Sequence, residues 1–297
     1  MATKRKAKQE DLRKSSVEND HDSSVLGGMK GGFRSNGSEP GSHEPNVKSF
    51  SIPFNDKHII CERHGSASKP SLIFTHGAGG GIANPATSDF AKGFAEVASV
   101  TLFQGTMNLQ SRVKTFDAVI EHEGIDEVLG GRSMGARAAT ISAAKEGRTT
   151  KALLLVSYPL LGGKNGEERE QVLLDLDEKI GVLFVVGSND AQCPLERLEK
   201  VRSKMSAKSW LLTVEGADHG MSWKPKELVQ DMRRLTGKLA ADWVTFRDES
   251  KRRRWVFLDA ENHALGDSGW TAAAPLTAQD VGDDERPPKK RKRGKGS

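Results

Sequence analysis

Three residues of this chain have the types and the order that acyl transfer requires. Gly131-Arg132-Ser133-Met134-Gly135 reads G-x-S-x-G. A serine hydroxyl is a weak nucleophile at neutral pH. It needs a base to take its proton and a third group to orient that base. Asp190 follows in Gly187-Ser188-Asn189-Asp190, and His219 in Ala217-Asp218-His219-Gly220-Met221. Serine, then acid, then histidine is the chain order that a nucleophile elbow calls for. In that reading Ser133 attacks a carbonyl carbon, His219 serves as general base and then general acid, and Asp190 orients the imidazole. Asp218 is the competing acid, but a residue adjacent to the histidine usually points away from it. Each residue also has a bland reading: a small-residue turn for Ser133, a helix cap before Pro194 for Asp190, a solvated loop histidine for His219. Three such residues at three expected strand ends, in the required order, favour chemistry.

Acyl transfer also needs backbone N–H donors aimed at the developing oxyanion. Thr75-His76-Gly77-Ala78-Gly79-Gly80-Gly81 follows an apolar stretch, Ser71–Phe74. A glycine-rich loop there supplies one donor and the residue after the nucleophile the other. The expected donors are the N–H groups of Ala78 or Gly79 and of Met134, with His76 shaping the loop. A phosphate loop is the rival reading. G-x-G-x-x-G fails because Ile82 stands where a third glycine is needed, and no G-K-[ST] follows. No H-E-x-x-H or paired C-x-x-C points to a metal, so neither a metal nor a cofactor is expected.

These residues have to be positioned by strands and helices. Near-continuous apolar runs predict strands at 71–77, 99–105, 126–133, 151–159, 181–190 and 209–216. Helical spacing predicts helices at 89–98, 112–124, 134–147 and 194–205, and from about Pro225 to Phe246, with one short helix within 168–178. Two strands at 49–54 and 58–65, turned at Asn55-Asp56, precede them. Such alternation predicts an α/β fold, a mostly parallel central sheet with helices on both faces. Ser133 and Asp190 are 57 residues apart and Asp190 and His219 are 29 apart. That spacing leaves no room for a large cap domain, so an open, shallow site is expected.

Three regions follow: a disordered, Ser/Gly-rich, basic segment at 1–47, the α/β domain at 48–248, and a mostly disordered extension at 249–297. Trp255, Val256, Phe257, Leu258 and Trp270 in that extension dock on the domain, dock on a partner, or pack weakly. The formal net charge of +5 is carried by the ends. Residues 286–297 hold seven Lys/Arg and no acid, and residues 1–14 a net +4, which leaves −6 between them. A domain that reads nucleic acid carries its own basic face, and this one has little excess to build it from. Two cysteines suggest a reducing compartment. No apolar run is long enough to span a membrane, and the charged N-terminus has no secretory h-region. The run Lys289-Lys290-Arg291-Lys292-Arg293, introduced by Pro287-Pro288, predicts nuclear import. The expected location is nuclear, or nuclear and cytoplasmic.

The stretches FQGTMNLQSR (103–112), GGRSMGARAA (130–139), LLDL with VLFVVGSND (173–190) and GADHGM (216–221) resemble the α/β-hydrolase-like domain of the testis-expressed-protein and NSL-complex-subunit group. Compact hydrolases related to dienelactone hydrolase are similar more distantly. The resemblance covers about residues 49–246. It implies the α/β-hydrolase fold with Ser133, Asp190 and His219 in the triad positions. The group includes subunits of chromatin-modifying assemblies, some lacking triad residues; this chain keeps all three. Two functions are therefore expected. The first is a serine hydrolase acting on a small ester or thioester. The alternative is a weakly active or inactive scaffold in a nuclear, chromatin-associated complex. The expected partners are a small ester-type substrate, an import receptor and nuclear proteins, with no specific nucleic acid and no membrane. Arg132 and Arg137 flank the elbow, with roles open between structure and binding an anionic group.

Overall fold

The computed structural model describes residues 45–162 and 167–272. The basic run 289–293 and the N-terminal segment up to residue 44 lie outside the described residues.

The chain opens with a hairpin, β1 (Val47–Phe54) and β2 (Lys57–His64), in full register from Val47 opposite His64 to Phe54 opposite Lys57. Strands β3 (Leu72–Thr75), β4 (Val100–Phe103), β5 (Val128–Arg132), β6 (Ala152–Val156), β9 (Gly181–Gly187) and β10 (Ser209–Val214) are buried along nearly their whole length. Two-residue strands β7 (Leu161–Gly162) and β8 (Glu167–Glu168) pair with each other outside the main sheet. Beyond the expected domain boundary come β11 (Arg253–Asp259) and β12 (Ala264–Asp267). The sheet order is β1-β2-β4-β3-β5-β6-β9-β10-β11-β12. From β4 to β11 every pairing is parallel. Only the two ends are antiparallel.

Helices α1 (Pro85–Ala95) and α6 (Val229–Thr245) cover one face. Phe90, Phe94, Met232, Leu239 and Trp243 pack there on Leu72, Phe74, Leu154 and Leu183. The two helices cross at glycines. A methyl group on Gly93 would sit 1.8 Å from Arg234 O, and one on Gly237 2.0 Å from Phe90 O. Helices α2 (Leu109–Glu123), α3 (Met134–Ala143) and α5 (Leu195–Arg202) cover the other face, where Phe116, Ala136, Ala139 and Leu198 pack on Ile73, Leu129, Leu153 and Phe184. The caps are local. Asn84 Oδ1 accepts the Ala86 N–H, Asn108 Oδ1 accepts the Ser111 N–H, and left-handed Gly124 ends α2.

The short helix expected within 168–178 is the single turn α4 (Gln171–Leu174). One expectation needs correction. The sheet does not end near residue 248. β11 pairs in parallel with β10 from Leu211–Arg253 to Val214–Val256, and Val256 is fully buried. Residues 253–267 belong to the fold because β11 pairs with the backbone groups that would otherwise be left open along the edge of β10. Val256 therefore docks on the domain, with Leu258 and Trp270 packed beside it. Among the described residues no helix is long and apolar enough to cross a membrane.

Candidate active site

β5 delivers the serine. Val128 and Leu129 are buried, and the next two strand residues, Gly130 and Gly131, have no room for a side chain. A methyl group on Gly131 would lie 2.3 Å from the Gly135 carbonyl carbon, and one on Gly135 2.5 Å from Thr75 O and 2.6 Å from His76 O. The strand therefore turns directly into α3 against the end of β3. Ser133 sits at that turn with φ 51 and ψ −115, an uncommon backbone for a residue with a Cβ. Its N–H donates to Val156 O at 2.8 Å, and its carbonyl accepts the Arg137 N–H at 3.2 Å. Both bonds hold the strained turn in place.

β9 delivers the acid and β10 the histidine. Asp190 is 2 % exposed just past β9. Its Oδ1 accepts the Gln192 N–H at 2.9 Å, which orients the carboxylate. His219 Nδ1 lies 3.0 Å from Asp190 Oδ1 and 2.9 Å from Oδ2. A carboxylate only accepts at neutral pH, so Nδ1 carries the proton and Nε2 is left as an acceptor. Ser133 Oγ lies 2.9 Å from His219 Nε2, so the hydroxyl donates to the ring. The structure thus brings together all three residues expected from the sequence. Asp218, the competing acid, faces its own loop, where Oδ1 accepts the N–H groups of Gly220 and Ser222.

Two arginines grip the histidine loop by its carbonyls. Arg132 Nη2 donates to His219 O at 2.8 Å. From α6, Arg233 Nε donates to Met221 O at 2.9 Å and Nη2 to Gly220 O at 3.5 Å. Burial, and after it the nearby Arg233 charge, holds the Arg132 guanidinium below the usual arginine range. That answers one question left open by the sequence: Arg132 ties the elbow to the histidine loop.

The loop after β3 runs beside the elbow. A methyl group on Gly77 would meet Arg132 Nη1 at 2.8 Å and Ser133 Cβ at 3.4 Å. Ala78 and Gly79 are exposed, and Gly79, Gly80 and Gly81 all have positive φ. Met134 is the first residue of α3, where N–H groups have no partner within the helix. The positive end of the helix dipole adds to the field at that point. The expected oxyanion donors, Ala78 or Gly79 and Met134, therefore lie on the two segments that meet at Ser133.

His76 is fixed behind this loop. Its Nδ1 donates to Gly77 O at 2.7 Å, and its Nε2 accepts the Gly105 N–H at 3.0 Å. Burial, then the charge of Arg112, pushes its pKa down to about 4, so the ring is neutral. Arg112 itself, in α2, is fully buried and had no role assigned from sequence. A faint signal was present: no Asp or Glu lies within four residues of it. An arginine so placed in a helix has no neighbouring acid to pair with.

Between Ser133 and Asp190 the described elements are α3, β6, the β7–β8 pair, α4 and β9, none of which builds a cap. The His219 side chain retains 21 % exposure. Among the described residues no group of three or more His, Cys, Asp or Glu is placed to hold a metal ion.

A strand–serine–helix elbow on a mostly parallel sheet, with the second strand antiparallel, defines a protein of the α/β-hydrolase class. The sequence profile of the alpha/beta hydrolase domain family matches residues 68–242, and the chain belongs to that family. Solved structures agree on the fold. A putative dienelactone hydrolase from Klebsiella pneumoniae subsp. pneumoniae MGH 78578 superposes with TM-score 0.54 at 16% identity, covering 68% of this chain and 99% of that one. Est1E from Butyrivibrio proteoclasticus gives 0.53 at 14%, covering 67% and 99%. The thioesterase domain from the curacin biosynthetic pathway gives 0.51 at 15%, covering 68% and 100%.

Proposed function

We propose that the chain is a serine hydrolase acting on a small carboxylic ester or thioester. The observation that carries this reading is the unbroken array Ser133 Oγ, His219 Nε2, His219 Nδ1 and Asp190, with both links at 2.9 Å. Ser133 Oγ attacks the substrate carbonyl carbon as its proton passes to His219 Nε2. The negative charge moves to the carbonyl oxygen, facing the N–H groups of Ala78 or Gly79 and of Met134. Collapse expels an alkoxide or thiolate, which takes the proton from His219. Water then repeats the sequence on the acyl-enzyme and frees Ser133. Asp190 keeps the ring in the right tautomer and stabilises the imidazolium. The dienelactone hydrolase and thioesterase neighbours support the ester-type substrate class, and the lack of a cap among the described residues between Ser133 and Asp190 supports a small or exposed acyl group.

A fluorophosphonate probe tests this directly. The full chain should label covalently, and Ser133→Ala should not. An unlabelled native chain would sink the reading and favour the scaffold alternative suggested by the testis-expressed and NSL-subunit resemblance. The basic run 289–293 supports a nuclear location. A fluorescent fusion lacking 287–293 should stay cytosolic, and unchanged nuclear accumulation would refute that part.

A further inference from the structure

We infer that Arg112 is a positioning residue for the proposed reaction: with His76, it aims and polarises the Gly77–Ala78 peptide so that the Ala78 N–H faces the oxyanion. The inference rests on the hydrolase reading above and names the device that builds its oxyanion donor.

Arg112 is fully buried, yet no carboxylate faces it among the described residues. A buried guanidinium without a counter-charge is costly unless its donors are satisfied. Here they are satisfied by backbone carbonyls. Nη1 donates to His76 O and to Gly77 O, the latter at 3.2 Å. Nη2 donates to Thr106 O at 2.6 Å and Gly105 O at 3.4 Å, and Nε to Thr106 O at 2.8 Å. The acceptors belong to two loops, one after β3 and one after β4. His76 closes the ring between them, because it donates to Gly77 O and accepts from Gly105 N–H.

The chemistry lies in one peptide unit. Gly77 O receives both the Arg112 and the His76 donors. The C=O and N–H of a trans peptide point to opposite sides of the plane. A Gly77 carbonyl turned inward therefore turns the Ala78 N–H outward, toward the elbow that Gly77 adjoins. Donors on the carbonyl draw electron density from the amide nitrogen and strengthen its N–H as a donor. The Arg112 charge adds to the same field. The four carbonyls also hold the loop still, so that little reorganisation is needed when charge develops.

The test compares Arg112→Lys and Arg112→Met with the native full chain, using p-nitrophenyl acetate hydrolysis and 15N-alanine NMR. Arg112→Met should lower kcat about 100-fold and Arg112→Lys about 10-fold, with KM changed less than about threefold in each. Partial rescue by lysine, confined to kcat, is what loop positioning predicts. The Ala78 amide proton should be shifted downfield in the native chain and move upfield in Arg112→Lys. A folded Arg112→Lys variant with native kcat and an unmoved Ala78 amide would overturn the inference. If Arg112→Met does not fold, the lysine variant and the amide shift decide. Failure of the hydrolase reading shows separately, as absent fluorophosphonate labelling of the native chain.

Discussion

At the elbow, Gly131 and Gly135 have backbone atoms within 2.6 Å of where a methyl group would go, whereas around Gly79 there is nothing within 4 Å. Gly79 instead has φ +82. Both regions are rich in glycine, and both border Ser133, but they hold their shape differently. The elbow is fixed by close packing of β5, α3 and the end of β3. The loop after β3 is fixed by hydrogen bonds from Arg112 and His76, with open space at Gly79. A packed turn tolerates no added atom. At Gly79 the tethered loop has room for an added atom, but it does not tolerate lost tethers.

Three changes put that contrast at risk. The largest effect is expected from Gly135→Ala, which drives a methyl group into Thr75 O and His76 O, neither of which is the end of a flexible side chain. Overpacking against backbone should cost about 3–5 kcal/mol. Thermal unfolding measures it, and a near-native Tm would show that the elbow is looser than its packing indicates.

The second change is acidification, which attacks a tether. His76 has a folded pKa of about 4 against an ordinary value of 6.5. Between those values the unfolded chain binds the extra proton and the folded one does not. This contribution to stability therefore falls as pH drops from about 6.5 to 4 and levels off below. At about 1.4 kcal/mol per pH unit the loss approaches about 3 kcal/mol. Urea unfolding across that range, with His76→Gln as control, should show the slope in the native chain and a weaker one in the variant. Equal slopes would place the acid sensitivity elsewhere.

The smallest effect belongs to Gly79→Ala. With free space around it, only the left-handed backbone opposes the methyl group, at about 1 kcal/mol. A loss as large as that for Gly135→Ala would mean that this loop, too, is packed. Chemical denaturation resolves the difference.

The fold and the three residues of the proposed triad were legible in the sequence for related reasons. Buried parallel strands are continuous apolar runs, and Ser133, Asp190 and His219 each follow one of them within three residues of a glycine. Arg112 was not assigned a role, because a helix pattern cannot show whether an arginine faces water or a set of backbone carbonyls. Its acceptors, residues 76, 77, 105 and 106, are brought to it only when β3 and β4 pair. The hold of Arg132 on His219 O spans 87 residues and was equally invisible. β11 escaped notice because Arg253-Arg254-Trp255-Val256-Phe257-Leu258-Asp259 is charged at both ends and only Val256 is fully buried, as suits a strand near a sheet margin.

β11 also lies wholly outside residues 68–242, the part of the chain that defines its family. A protein trimmed to those residues would keep Ser133, Asp190 and His219. It would also leave Ser209-Trp210-Leu211-Leu212-Thr213-Val214 as a bare, uncharged margin, without the salt bridge from Arg253 to Glu199 beside it. Such a margin recruits other strands. The hairpin β11–β12 covers that margin, so a chain trimmed to residues 68–242 should aggregate more readily than one that keeps residues 253–267, a difference that light scattering measures.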